Sequence, residues 1–261
     1  MIYPHHHKTI ERLRARYRAD PEVLALMIIG SVARDEAGEE SDVDCYLVVT
    51  DAEYHRREIA GALSFAANDM ATYPGGLAGG KVINLAYIHA VADRGPEPAR
   101  YAFSEAIVAF SRIPDLERVI ATIPRYPESE RTGMMLSFVS QLPVHMSYIE
   151  LAEYSDNPYL LSETAVELVL FGGRLILAHN RVLYPGRKWF LRALAWATEK
   201  PPDLLDLAEE LLRRPGIEPA RRFCTSVSSF RDWPQPTEGH MARFQQDRED
   251  LWIAAAPLAD R

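Results

Sequence analysis

Two aspartates at the head of an apolar run constrain this chain more than any other feature. Asp42-Val43-Asp44 opens the stretch Val43 to Val49, and Gly30-Ser31 stands ten residues ahead of it. Side chains alternate across a strand, so residues i and i+2 point the same way. Asp42 and Asp44 therefore share a face. Two neighbouring carboxylates repel each other and are costly to desolvate, and a divalent cation relieves both problems. Hard oxygen ligands of this kind suit Mg²⁺, which keeps several waters and takes the rest of its shell from substrate phosphates. The apolar run Val23 to Ile29 ends in Gly30 and reads as a strand buried on both faces. A strand that ends in glycine and enters a helix at Ser31 offers backbone N–H groups and a hydroxyl to an anion. Arg34, one turn on, adds charge toward a triphosphate or is simply solvated.

The stretch Ile28-Ile29-Gly30-Ser31-Val32-Ala33-Arg34-Asp35 through Ser41-Asp42-Val43-Asp44-Cys45-Tyr46-Leu47-Val48-Val49 resembles the signature of the DNA polymerase beta-type nucleotidyltransferase superfamily. The order of an α/β domain followed by a helical one resembles the bacterial nucleotidyltransferases that act on aminoglycoside and lincosamide antibiotics. The resemblance implies Mg²⁺-dependent transfer of a nucleoside monophosphate, usually AMP from ATP, onto a hydroxyl of a small polar acceptor such as an antibiotic. It implies Asp42 and Asp44 as metal ligands, and Gly30 and Ser31 as triphosphate binders. Relatives also reach the phosphates with a basic residue of the helical domain, for which Lys188 is the candidate and Arg187 the second. Some relatives build their cleft from two subunits, so the resemblance leaves room for a homodimer.

The family carries a third carboxylate on a later strand. The corresponding strand is read here as Lys81 to His89, where Asn84 or Ala86 stands in place of an acid. Glu105, or Glu150, Glu163 or Glu167 of the helical part, could substitute for it. The alternative is a nucleotide-binding or regulatory protein with weakened or absent catalysis, in which Asn84→Asp would restore turnover.

The periodicity changes near residue 125. Before it, short β-rich runs alternate with helical patterns; after it, nearly everything reads helical. The expected fold is an α/β (α+β) domain over 1–124 with a mixed sheet of four or five strands. An all-α bundle over 125–261 follows, expected to wall the nucleotide cleft. Predicted helices cover 5–18, 31–38 as a helix or turn, 127–155, 159–180, 187–199, 203–213, 217–231 and 238–254. Thr50-Asp51-Ala52-Glu53 reads as a capping box for a helix to Ala71. Tyr73 to Gly80, with Pro74 and four glycines, reads as a flexible loop, and 106–110 as a fourth strand.

Composition narrows the function classes. With 29 Lys plus Arg against 37 Asp plus Glu, the net charge of −8 argues against duplex nucleic acid as the partner. It is compatible with a cationic acceptor. The longest apolar run falls far short of the roughly 20 residues of a membrane span. No apolar signal segment is read at the start, and two cysteines need no disulfide framework, so the expected setting is cytoplasmic. His5-His6-His7 reads as a surface cluster. Cys45, between the aspartates, must face the core. Tyr148, Tyr154, Tyr159, Trp196, Phe230, Trp233 and Trp252 are read as mostly core. Arg174 and His179, at a spacing similar to that of the HEPN ribonucleases, are read as ordinary helix residues.

Overall fold

The computed structural model describes residues 2–250 and 253, and the chain divides into two compact units, Met1–Arg125 and Tyr126–Arg261. The first unit is a five-stranded mixed sheet between helical layers. Its strands are β1 (Val23–Ile28), β2 (Val43–Val49), β3 (Ser64–Ala66), β4 (Ala78–Ile83) and β5 (Ile107–Ser111), in the order β3-β4-β2-β1-β5. Only the β2–β4 pair is parallel. Alternation in β2 divides the core. Val43, Cys45, Leu47 and Val49 pack with Ile10 and Leu13 of α1 (Pro4–Arg18). Tyr46 and Val48 pack on the other face with Ile88 and Val91 of α4 (Leu85–Arg94), and with Leu116 and Ile120 of α6 (Leu116–Ile120). Both faces are covered along most of β2, which is why the run is apolar at every position after Asp44.

The short α2 (Gly30–Ala33) follows β1, α3 (Asp51–Ile59) follows β2, and α5 (Glu97–Tyr101) precedes β5. Three sequence expectations fail here. The helix predicted to Ala71 ends at Ile59, and β3 plus a 3-10 turn at Asn68–Met70 follow it. Thr50 does cap α3 through Glu53 N, but the Glu53 carboxylate turns to Arg56 and Arg57 rather than back to the cap. The expected loop 73–80 yields its last three residues to β4, and Thr72 is tied to α1 by hydrogen bonds to Thr9 and the His5 carbonyl. The expected strand 81–89 stops at Ile83. Asn84 accepts from Tyr87 N at 2.9 Å and starts α4, so the apolar residues after it are helical.

The second unit is all-helical: α7 (Arg131–Tyr154), α8 (Pro158–His179), α9 (Phe190–Trp196), α10 (Leu204–Arg213), α11 (Ile217–Ser229) and α12 (His240–Phe244). Helix α7 is continuous through Pro143. Gly172 and Gly173 let α8 pack closely. An added Cβ would lie 2.6 Å from the Phe223 ring at the first and 2.4 Å from Phe190 at the second. Trp233 is core, but Tyr154, Tyr159 and Trp196 are exposed, at 91%, 74% and 57%, against their reading as core. Trp252 lies outside the described residues. No described helix is long and apolar enough to cross a membrane.

Candidate active site

The end of the sheet where β1 stops and β2 and β4 begin gathers the motif residues. Asp42 and Asp44 are both exposed, while Val43 between them is buried. The glycine loop is pinned directly to them. Ile29 N donates to Asp44 O at 2.9 Å. Gly30 has φ +74°, and a Cβ there would lie 2.5 Å from Asp44 Oδ2 and 3.2 Å from Asp44 Cβ. Gly30 is therefore required twice, for its backbone conformation and for the space that the Asp44 carboxylate occupies. Ser31 is the second residue of the single-turn α2, which begins at Gly30 and whose first N–H groups have no partner within a helix.

Arg34 does not stand solvated. Its side chain is 8% exposed, Nε donates to Glu36 Oε2 at 3.1 Å, and the guanidinium lies 4.9 Å from the centre of the Tyr101 ring. It brackets the end of the glycine loop, with its charge matched by Glu36. Glu105 precedes β5 in a turn with φ +56°. Ile107 pairs with Ile28 at the end of β1, and Glu105, two residues before it in the turn, is exposed. Glu150 and Glu163 are exposed on α7 and α8, while Glu167 faces Arg248 at 3.2 Å. Arg187 and Lys188 lie in a 3-10 turn before α9, where the Lys188 ammonium is 5.4 Å from the Trp189 ring centre.

A group the sequence reading undervalued holds the segment leading into Asp42. His5 and His6 bond the carbonyls of Glu39 and Ser41 at 2.8 and 2.9 Å. Tyr73 Oη donates to the Ser41 carbonyl at 2.6 Å. The rings also pack against Tyr73, His5 tilted at 4.5 Å between centres and His6 edge-on at 5.3 Å. His6 is fully buried, against the surface cluster expected, while His7 is exposed; burial and the His5 charge push the His6 pKa down. Burial raises the Tyr73 phenol, and the Asp42 and Asp44 charges raise it further. Nothing local in the sequence marks these residues, because their partners lie more than 30 positions away.

The positions proposed for a third acid are elsewhere. Asn84 caps α4 and donates to Asp51 Oδ1 at 2.9 Å, and Ala86 lies inside that helix. The parallel register instead puts Gly79 beside Asp44 and Lys81 beside Tyr46. Among the described residues no group of three or more His, Cys, Asp or Glu could hold a metal ion. The protein therefore offers two exposed carboxylates on one face. That donor set fits Mg²⁺, which takes one or two carboxylates and completes its shell with water and phosphate oxygens. Cys45 and Cys224 take no part, since burial raises both thiols to about 12.

Residues 7–85 match the family model described as a nucleotidyltransferase domain. No curated protein matches. The chain is similar to a nucleotidyltransferase-like protein from Exiguobacterium sibiricum 255-15. The match has TM-score 0.47 and 13% identity, and covers 95% of this chain and 80% of that one. The matched segment runs from α1 through β4 and contains Gly30, Ser31, Asp42 and Asp44, so the similarity to a nucleotidyltransferase domain falls on the residues that form the site.

Proposed function

We propose that the protein transfers a nucleoside monophosphate, AMP from ATP, to a hydroxyl of a small polar acceptor. The observation that carries this reading is the Gly30 backbone lying against the Asp44 carboxylate. It joins the anion-binding turn and the carboxylate pair into one site. In this reading Asp42 and Asp44 hold Mg²⁺, which when bound neutralises the triphosphate and stabilises the departing pyrophosphate. Ser31 and the first amides of α2 receive phosphate oxygens. His5, His6 and Tyr73 fix the segment before Asp42, so that its carboxylate is held ready. Glu105 is the acid of this sheet end that would take the acceptor's proton. Lys188 and Arg187 are assigned to the phosphates by resemblance alone, as an aminoglycoside-like acceptor, a homodimer and a cytoplasmic setting are.

A second reading is a nucleotide binder without transfer, and β4 favours it, since Gly79 and Lys81 rather than an acid flank the pair. Incubation with labelled ATP, Mg²⁺ and a panel of hydroxyl acceptors separates the two. Pyrophosphate release that Asp42→Asn and Asp44→Asn abolish supports transfer. ATP uptake without release on any acceptor supports the binder. If calorimetry finds ATP uptake unaffected by Mg²⁺ or Mn²⁺ and by both substitutions, the carboxylate pair is not the site.

A further inference from the structure

The face of the sheet that bears Asp42 and Asp44 has a second charged feature. Along β4, Ala78 and Val82 join the core beneath α1, while Ile83 joins the opposite core with Tyr46 and Val48. Gly79 and Lys81 alternate with the first set, so they share the face of Asp44 and Tyr46. Diagonal neighbours on adjacent strands stand about 7–8 Å apart. Lys81 is thus diagonal to Asp44, and its four-carbon stem lets the ammonium swing over the carboxylates or away from them.

The surroundings keep this face open at the site end. Lys81 is exposed, as are Ser64 and Ala66 on β3, which pair with Lys81 and Gly79. No side chain can grow between Lys81 and the aspartates from β4 itself. A Cβ at Gly79 would lie 2.4 Å from the Phe65 carbonyl oxygen, a backbone atom that cannot swing aside. Among the described residues no carboxylate or carbonyl holds the Lys81 ammonium, whereas Arg34 is engaged by Glu36 and Tyr101.

We propose that Lys81 is a phosphate-binding residue of the site, a fixed cation that grips the β- and γ-phosphates of a nucleoside triphosphate beside the Asp42–Asp44 pair. This rests on the nucleotide reading above and adds to it a metal-independent share of triphosphate affinity. An ammonium here supplies positive charge without a third carboxylate and a second divalent ion.

The test is calorimetry on the full chain with ATP, inorganic tripolyphosphate and AMP, each in Mg²⁺ and in EDTA. Lys81 is exposed, so Lys81→Gln should fold as the parent does, and Lys81→Arg keeps the charge. Loss of one charge-assisted hydrogen bond predicts about tenfold weaker ATP and tripolyphosphate binding for Lys81→Gln in both buffers. AMP affinity stays within about twofold, Lys81→Arg restores most of the loss, and Asp44→Asn weakens binding only where Mg²⁺ is present. Parental ATP and tripolyphosphate affinities in Lys81→Gln, with Asp44→Asn still impaired in Mg²⁺, overturn the role of Lys81 and leave the nucleotide site standing. AMP losing as much as tripolyphosphate overturns the assignment to the β- and γ-phosphates. A parent that binds neither ATP nor tripolyphosphate in either buffer removes the nucleotide reading and this inference together.

Discussion

Replacing Gly30 by alanine tests the contact on which the site depends. Two costs can be separated. Alanine at φ +74° costs about 1 kcal/mol, since a Cβ in the left-handed region crowds the next carbonyl. Gly61, at φ +65° with nothing within 4 Å of its would-be Cβ, bears that cost alone. At Gly30 the new methyl also meets Asp44 Oδ2 at 2.5 Å, Cβ at 3.2 Å and Cγ at 3.3 Å. Turning the carboxylate relieves the first contact but not the second, because Cβ is fixed to the strand. The turn into α2 must therefore shift, adding about 1–3 kcal/mol, as overpacking does. Gly30→Ala should thus lose about 2–4 kcal/mol and Gly61→Ala about 1 kcal/mol, read by hydrogen exchange of the β1 and β2 amides. Because the carboxylate is pushed off its position, ATP affinity in Mg²⁺ should fall at least about tenfold in Gly30→Ala and not in Gly61→Ala. Equal protection loss in the two variants, with ATP affinity intact in both, would refute the reasoning.

Asn84→Asp should not create catalysis. Aspartate caps a helix as well as asparagine does, but it ends the donation to Asp51 and sets two carboxylates about a hydrogen bond apart, lowering stability by about 1–2 kcal/mol with no gain in pyrophosphate release. In the second unit His145 is 5% exposed, and burial with the Arg248 charge lowers its pKa to about 4 despite Glu167 at 3.9 Å. The unfolded chain therefore takes its proton first as pH falls, so stability is full above about pH 6.5 and is lost down to about pH 4, by about 2 kcal/mol at pH 5. Tryptophan fluorescence reports this unit, because all four tryptophans follow residue 125. His145→Phe should flatten the dependence, and an unchanged slope would show that another group controls it.

What could be read from the chain followed from how local each signal is. Strands β1 and β2 announce themselves because both faces are covered along most of their length, so β1 and the part of β2 after Asp44 are unbroken apolar runs. Strand β4 is hidden because its glycines answer to neighbours rather than to a turn. A Cβ at Gly80 would lie 1.9 Å from the Cys45 carbonyl oxygen on the next strand, a constraint invisible in a linear sequence. Leu85-Ala86-Tyr87-Ile88 suits a strand or a helix equally, and the decisive residue is Asn84, whose side chain bonds Tyr87 N. Asp42, Asp44, Gly30 and Ser31 are legible because strand alternation and one tight turn bring them together. Lys81, His6 and Tyr73 depend on a strand register and on loops closed over long separations.

The register also decides what chemistry the first unit can support. Asn84 lies five residues beyond Gly79, the partner of Asp44, so an acid there would stand roughly 16 Å along the strand from the carboxylate pair. Gly79 itself cannot accept a side chain without displacing the Phe65 carbonyl, and so displacing β3. On the other side of the pair from β4, across β1, a proton acceptor is available in the turn before β5. There Glu105 adopts φ +56°, a conformation that costs a non-glycine residue about 1 kcal/mol or more. If Glu105 serves as the base, Glu105→Gln should abolish pyrophosphate release while leaving ATP affinity unchanged, because the turn and the triphosphate contacts survive the loss of one charge. If Glu105→Gln releases pyrophosphate at the parental rate, the base does not come from this sheet.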